Sequence, residues 1–79
     1  MNQARIELSR GNIPAALEEY DKLIKKGKYL DETIFDLREA LYRYPVEVSI
    51  WQSLGDAYMR ENRLQDALDA YTKAEELLR

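Results

Sequence analysis

The sequence predicts an all-α fold, and three observations support this prediction. Apolar residues recur about every 3.6 positions in most of the chain, as on one face of an α-helix. No stretch shows the apolar–polar alternation of a half-buried strand. Turn-forming residues divide the chain into five segments of helical length, and these turns lie at Arg10–Asn12, Lys26–Lys28, Tyr44–Pro45 and Glu61–Arg63.

The five helices are expected near residues 2–10, 13–26, 31–44, 47–61 and 64–78. The first segment is the shortest, and its Ile6 and Leu8 are not part of a longer apolar stripe. The other four segments each have one stripe: Ala16, Leu17, Tyr20, Leu23 and Ile24; then Ile34, Leu37, Leu41 and Tyr44; then Val48, Trp51, Leu54, Ala57 and Tyr58; and finally Leu64, Ala67, Leu68, Tyr71, Ala74 and Leu78.

Residues at the segment ends fit helix termini. Asn12 suits the N-cap of the second helix, and Pro14 is tolerated in its first turn. Gly27 suits the left-handed position that ends this helix. Asp31 is expected to cap the third helix, and Pro45 to stop it.

Length and composition limit the kind of protein. With 79 residues, of which 46% are hydrophobic, the chain can form one small domain that spans residues 1–79. A formal net charge of −3 provides no electrostatic attraction to nucleic acid or anionic lipid. No apolar run has the roughly 20 residues that cross a bilayer, and no signal peptide is evident, so a cytoplasmic domain is expected. The sequence leaves open whether this domain is a whole protein or part of a longer chain.

The side-chain chemistry argues against an enzyme. The chain has no His and no Cys, and its serines lack a motif that would activate them. Neighbouring carboxylates such as Asp66 and Asp69 are expected on solvated helix faces rather than in a cleft. The spacing of a calcium-binding loop is also absent. We therefore expect no catalytic residues, no metal and no cofactor.

Residues 48–79 follow the pattern of a known repeat. Trp51, Leu54, Gly55 and Tyr58 form the motif W-x-x-L-G-x-x-Y. Ala67, Tyr71 and Ala74 then supply a small–aromatic–small series in the second helix, and Pro45 precedes the unit. This segment resembles a tetratricopeptide repeat, a helical hairpin of 34 residues. The resemblance implies an array of antiparallel helical hairpins, each with a first (A) helix and a second (B) helix.

The upstream part of the chain is a weaker match to the same repeat. Gly11–Tyr20 aligns with Asn62–Tyr71 at an offset of 51 residues, which is one and a half repeats. This alignment favours the order truncated A, B, B-like, A and B for the five helices. In the alternative, helix 13–26 is the A helix of helix 31–44. The sequence leaves both orders open.

The resemblance implies a non-catalytic scaffold or adaptor that binds a peptide or helix of another protein. Arrays of this family bind on a concave surface lined by A helices. In the subclass that grips C-terminal carboxylates, Lys and Asn stand where this chain has Gln52 and Asp56. A partner helix with apolar and basic residues fits the acidic, Met-containing face better. The expected binding face comprises Ser49, Gln52, Ser53, Asp56, Met59 and Arg60.

A structural role is the alternative hypothesis. Solenoid units stack to bury their faces, and so few units leave apolar edges uncovered. The edge expected to mediate homo-oligomerisation comprises Leu68, Leu77 and Leu78. Three tyrosines outside the repeat pattern, Tyr29, Tyr42 and Tyr44, either anchor an interface or cover a gap between helices. The lysines Lys22, Lys25, Lys26 and Lys28 either contact an acidic peptide or, as we favour, complement the dipole of a helix C-terminus.

Overall fold

A computed structural model describes residues 1–79 and contains five α-helices and no strands. The helices are α1 (Asn2–Ser9), α2 (Ile13–Lys26), α3 (Leu30–Arg43), α4 (Val48–Arg60) and α5 (Leu64–Leu78). Their ends lie within one residue of the expected positions, and the all-α prediction is confirmed. None of these helices has the length and apolar character needed to cross a membrane.

The helices form two layers. One layer consists of α2 and α4, which lie side by side and are joined by hydrogen bonds between Ser53 and Asp21 and between Arg60 and Ile24. The other layer consists of α1, α3 and α5. Cavities remain between α1 and α3 and between α3 and α5, so these three helices lie in sequence across the layer. Helices α2 and α4 each contact three other helices, and α4 packs the more extensively of the two because of its long contact with α5, so it is the centre of the packing.

This arrangement assigns the helices to the two types. The bounds of α2 and α4 differ by 34 or 35 residues, and so do the bounds of α3 and α5, which matches the 34-residue repeat. Helices α2 and α4 are thus successive A helices, while α3 and α5 are successive B helices. The favoured order, with residues 13–26 as a B helix and 2–10 as a truncated A helix, is wrong, and the alternative order describes the structure.

The two hairpins differ in how closely their helices approach. In the α4–α5 hairpin, Gly55 lies directly against the ring of Tyr71. The residue 34 positions before Gly55 is Asp21, and α2 makes far fewer close backbone contacts with α3 than α4 makes with α5. Helix α2 thus lacks the glycine that lets α4 approach an aromatic ring of its partner helix, and α2 and α3 are the less closely packed pair.

The helix ends follow the expectations in part. Gly27 ends α2 in a left-handed conformation, with φ of 68°, and its N–H and that of Lys28 bond back to the carbonyls of Ile24 and Leu23. Asn12 precedes α2 as expected, but its side chain makes no capping hydrogen bond. Asp31 does not cap α3, because that helix begins at Leu30.

Tyr29 occupies the capping position of α3 instead. It adopts a left-handed conformation, with φ of 55°, and its carbonyl accepts the hydrogen bond of the Thr33 N–H. Asp31 therefore lies within the first turn of α3, where a carboxylate still complements the positive end of the helix dipole.

The core is one continuous cluster built mostly from the predicted stripes. A hydrogen-bonded polar group lies beside this cluster, where α1, α2 and α3 meet. Asp36 on α3 is nearly buried and accepts hydrogen bonds from the Tyr20 hydroxyl at 2.8 Å and from Arg5 Nε at 2.8 Å. Burial of the Tyr20 phenol, assisted by its bond to Asp36, raises the pKa of Tyr20 well above its ordinary value. This group links α1 to the rest of the fold.

Candidate functional site

Two of the six residues of the expected binding face hold α4 against α2. Ser53 is buried, and its hydroxyl donates a hydrogen bond of 2.9 Å to Asp21. The Arg60 guanidinium donates hydrogen bonds to the carbonyl oxygens of Ile24, at 3.1 Å, and Lys25, at 3.2 Å. The expectation that Ser53 contributes to an open surface is wrong, because the neighbouring A helix covers it. Arg60 keeps an exposed side chain but caps the C-terminus of α2.

Besides Arg60, three of the six residues are exposed, namely Gln52, Asp56 and Met59. They recur at helical spacing and form one stripe along α4. Asp56 also accepts a hydrogen bond from the Tyr71 hydroxyl on α5. Burial of the phenol, together with this bond, raises the pKa of Tyr71 to about 12. The sixth residue, Ser49, is half-buried and donates a hydrogen bond to Glu47.

Helix α2 adds a second stripe to this surface. Its exposed residues Glu18, Lys22 and Lys25 also recur at helical spacing. Asp21 is hydrogen-bonded to Ser53, and Ile24, one turn further along α2, is hydrogen-bonded to Arg60, two turns further along α4. The contacts advance in the same direction on both helices, so α2 and α4 run parallel. Helical geometry then places both exposed stripes on the same side of the pair. We call the resulting surface the α2–α4 face, defined by Glu18, Lys22, Lys25, Gln52, Asp56 and Met59.

The charges on the α2–α4 face are mixed. Lys22 forms an exposed ion pair with Glu19, with Nζ and Oε2 3.3 Å apart. Lys25 and Lys26 lie in the last turn of α2, as the dipole interpretation expected. The basic Arg60 joins them at this end, whereas Glu18 and Asp56 supply acidic groups. Sequence reasoning missed the contribution of α2, because it assigned this helix to the other layer.

Asp21 lies at the seam between the two stripes. Its partial burial raises the pKa of this carboxyl above the ordinary value of 3.8. The nearby Asp56 carboxylate acts in the same direction, while the hydrogen bond from Ser53 acts against it. The charge at this position is therefore unfavourable in the folded chain.

The leucines of the expected self-association edge are placed differently from one another. Leu68 and Leu78 are 58% and 69% exposed, whereas Leu77 is half-buried. Leu64, which the sequence analysis did not assign to this edge, is 56% exposed. We call Leu64, Leu68 and Leu78 the α5 leucine face. The corresponding residues 34 positions earlier are Leu30 and Ile34 on α3 and Tyr44 directly after it. All three are buried or packed against the core.

Comparisons with known proteins support the repeat. The sequence pattern of the tetratricopeptide repeat family matches residues 48–79. Human Superkiller complex protein 3 is 37% identical to this chain over 54 residues, which are 68% of this chain and 3% of that protein. Because the family match covers 32 residues and reaches the last residue, at least 22 of the 54 residues lie upstream of Val48. No solved structure matches the chain.

The fold and these matches define a helical repeat of the tetratricopeptide class, a class of protein–protein interaction modules that is generally non-catalytic. Residues 48–79, which form α4 and α5, are a tetratricopeptide repeat.

Proposed function

We propose that this chain is a non-catalytic adaptor that binds a peptide or helix of another protein on the α2–α4 face. The parallel pairing of α2 and α4 supports the proposal, because it places six exposed side chains from two helices on one side of the molecule. The hydrogen bonds of Ser53 and Arg60 fix the distance between the two helices, so the face is organised before a partner arrives. A preorganised surface loses less entropy on binding.

The composition of the face indicates the chemistry of the partner. Met59 offers an apolar and adaptable contact. Asp56 and Glu18 favour a basic residue, as the sequence analysis expected from α4 alone. Lys22 and Lys25 on α2 favour, in addition, an acidic residue near the C-terminal end of that helix. The partner segment is therefore amphipathic, with charges of both signs on either side of an apolar anchor.

Asp56→Lys combined with Met59→Glu tests this proposal. Peptides of 15 residues would be selected from a displayed library against the 79-residue chain, and their affinities measured by fluorescence anisotropy. We expect the double variant to weaken binding at least tenfold, because it reverses one charge and removes the apolar contact. Thr72→Glu combined with Glu76→Lys makes the same charge changes at exposed positions of α5 and should change affinity less than twofold. Equal binding by both variants would refute the site.

Self-association is the second candidate function, and the α5 leucine face favours it. Leu64 and Leu68 are neighbours on the exposed side of α5, and Leu78 adds a third exposed leucine near the end of the helix. Their counterparts around α3 are covered within the chain, which supports the idea that this pattern of residues suits packing against another helix. In this proposal a second copy of the chain covers the patch.

A further inference from the structure

A cavity of about 460 Å³ lies between α3 and α5 on the side of α4 away from α2. Its lining includes Leu41 from α3, Trp51, Leu54 and Tyr58 from α4, and Ala70 from α5. No residue of the α2–α4 face or of the α5 leucine face lines it. The volume falls within the range of about 300–1,000 Å³ that is usual for ligand sites. We call it the α3–α5 cleft.

The floor of the cleft is apolar because it lacks the polar group found in the corresponding gap one repeat earlier. One repeat earlier, the corresponding gap between α1 and α3 is crossed by the side chains of Arg5, Asp36 and Tyr20, and its cavity is smaller, about 260 Å³. The residues 34 positions later are Glu39, Ala70 and Leu54. These residues cannot form the same ion pair and hydrogen bond. The second gap therefore stays open, with an apolar floor.

An aromatic residue borders the opening of the cleft. Tyr42 on α3 lines the cleft, and its side chain is 85% exposed. Phe35 lies two turns earlier on the same helix and is also exposed. Exposed aromatic side chains beside a concave apolar surface are characteristic of the central part of protein interfaces. Of the two interpretations of Tyr42, these observations favour the interface anchor.

The charged residues of the cleft differ in whether they have partners. Arg63 pairs with Asp66 at 2.9 Å and stacks on the Tyr58 ring, 4.7 Å from its centroid. Asp69 accepts a hydrogen bond from Gln65 at 3.0 Å. Arg38, on the opposite wall, forms no ion pair or side-chain hydrogen bond within the chain. A carboxylate on a bound segment would supply the partner that this guanidinium lacks.

We propose that the α3–α5 cleft binds an aromatic side chain of a partner polypeptide, with a neighbouring acidic residue paired to Arg38. The ring contacts Trp51, Leu54 and Ala70, and the carboxylate meets the guanidinium at the α3 wall. This site shares no residue with the α2–α4 face, so it extends the proposed function by a second contact. Its success or failure is therefore separable from that of the first site.

Trp51 allows a direct test, because it is the only tryptophan of the chain and lines the cleft. The probes are the blocked dipeptides Ac-Phe-Glu-NH2 and Ac-Phe-Gln-NH2, which differ only in the carboxylate. Both would be titrated against the isotope-labelled 79-residue chain, with the indole N–H resonance of Trp51 as the readout. We expect a saturable shift, with the Glu peptide binding about tenfold more tightly than the Gln peptide.

Variants of the chain complete the experiment. Arg38→Glu should lower the affinity for the Glu peptide at least tenfold, so that it no longer binds more tightly than the Gln peptide. Arg10→Glu makes the same charge change at an exposed position directly after α1, outside both proposed contact surfaces, and should leave both affinities unchanged. Ala70→Leu fills the cleft and should lower the affinity for both peptides. Because Arg38 is exposed, the Arg38→Glu variant remains informative even if Ala70→Leu does not fold.

Four outcomes would overturn the proposal. The first is a Trp51 resonance that neither dipeptide shifts, and the second is an equal loss of affinity in the Arg38→Glu and Arg10→Glu variants. The third is a set of shifted resonances confined to the α2–α4 face. The fourth is a Trp51 resonance that moves with protein concentration alone, because it would identify a second copy of the chain as the occupant.

Discussion

One absent methyl group determines how closely α4 and α5 approach. A Cβ atom on Gly55 would lie 2.6 Å from Cε1 and 2.8 Å from Cδ1 of Tyr71, well inside van der Waals contact. The atoms it would meet belong to the body of the ring, so no rotation of a flexible end relieves the overlap. Gly55 is not needed for a turn, because it lies in the middle of α4. Its role is to admit the Tyr71 ring.

In Gly55→Ala, overpacking against the ring is expected to cost about 1–3 kcal/mol. Alanine offsets this cost by about 1 kcal/mol, because it is the better residue in a helix interior, so the free energy of unfolding should fall by up to about 2 kcal/mol. Urea denaturation at 25 °C measures the difference. In a Tyr71→Ala background the overlap disappears, so the same substitution should become neutral or stabilising. An equal loss in both backgrounds would show that the ring is not the cause.

At the scale of helices, the α2–α4 seam combines a hydrogen bond with an unfavourable charge. Partial burial raises the pKa of Asp21, so the folded chain binds a proton at this carboxyl more readily than the unfolded chain does. The linkage between proton binding and folding then determines how the stability depends on pH. The stability contributed by Asp21 is greatest below its ordinary pKa of 3.8 and falls as the pH rises through the raised value.

Asp21→Asn should therefore stabilise the chain at pH 7, because an amide oxygen can still accept the Ser53 hydrogen bond without bearing a charge. The advantage should shrink as the pH is lowered through the raised pKa of Asp21, where the wild-type carboxyl takes up a proton. Urea denaturation at several pH values measures both effects. Asp69→Asn, at an exposed position of α5, is the matched control and should change stability little. A destabilising Asp21→Asn at pH 7 would contradict the argument.

The helices could be predicted from the sequence, whereas their order in the array could not. Apolar stripes and residues such as Gly27 fix where helices lie and end, because these are local properties. The assignment of α2 as an A helix depends on residue pairs that are 34 positions apart. Leu17 on α2 corresponds to Trp51 on α4, and Ala40 on α3 corresponds to Ala74 on α5. Asp21 stands where the 34-residue offset would place a glycine equivalent to Gly55. Without that glycine, the sequence favours the alignment of Gly11–Tyr20 with Asn62–Tyr71 at an offset of 51 residues.

The site was predictable only within α4. The repeat pattern correctly placed Gln52, Asp56 and Met59 on an exposed stripe, because that depends on helical spacing. It could not show that Ser53 is covered, since this depends on which helix lies beside α4. The α3–α5 cleft was likewise hidden, because its volume results from the packing of three helices and from the small side chain of Ala70.

At the scale of the whole molecule, the proposal that a second copy covers the α5 leucine face predicts how the mass of the chain depends on concentration. If a second copy covers this face, the mass measured by light scattering should rise with concentration. Leu68→Glu places a charge in the interface and should keep the chain monomeric, because burying an unpaired charge is costly. Val46→Glu changes an exposed apolar residue between α3 and α4 and should behave as wild type. A wild-type chain that stays monomeric throughout the dilution series would exclude self-association.

The central position of α4 has a consequence for binding. Gln52 and Met59 belong to the α2–α4 face, while Trp51, Leu54 and Tyr58 line the α3–α5 cleft, so one rigid helix forms part of both surfaces. A ligand that shifts or steadies α4 from one side changes the surface available on the other side. Thermodynamic linkage requires any such effect to be reciprocal, with each ligand altering the affinity of the other by the same factor. If both proposed contacts form, this single helix of 13 residues couples two bound segments that never touch.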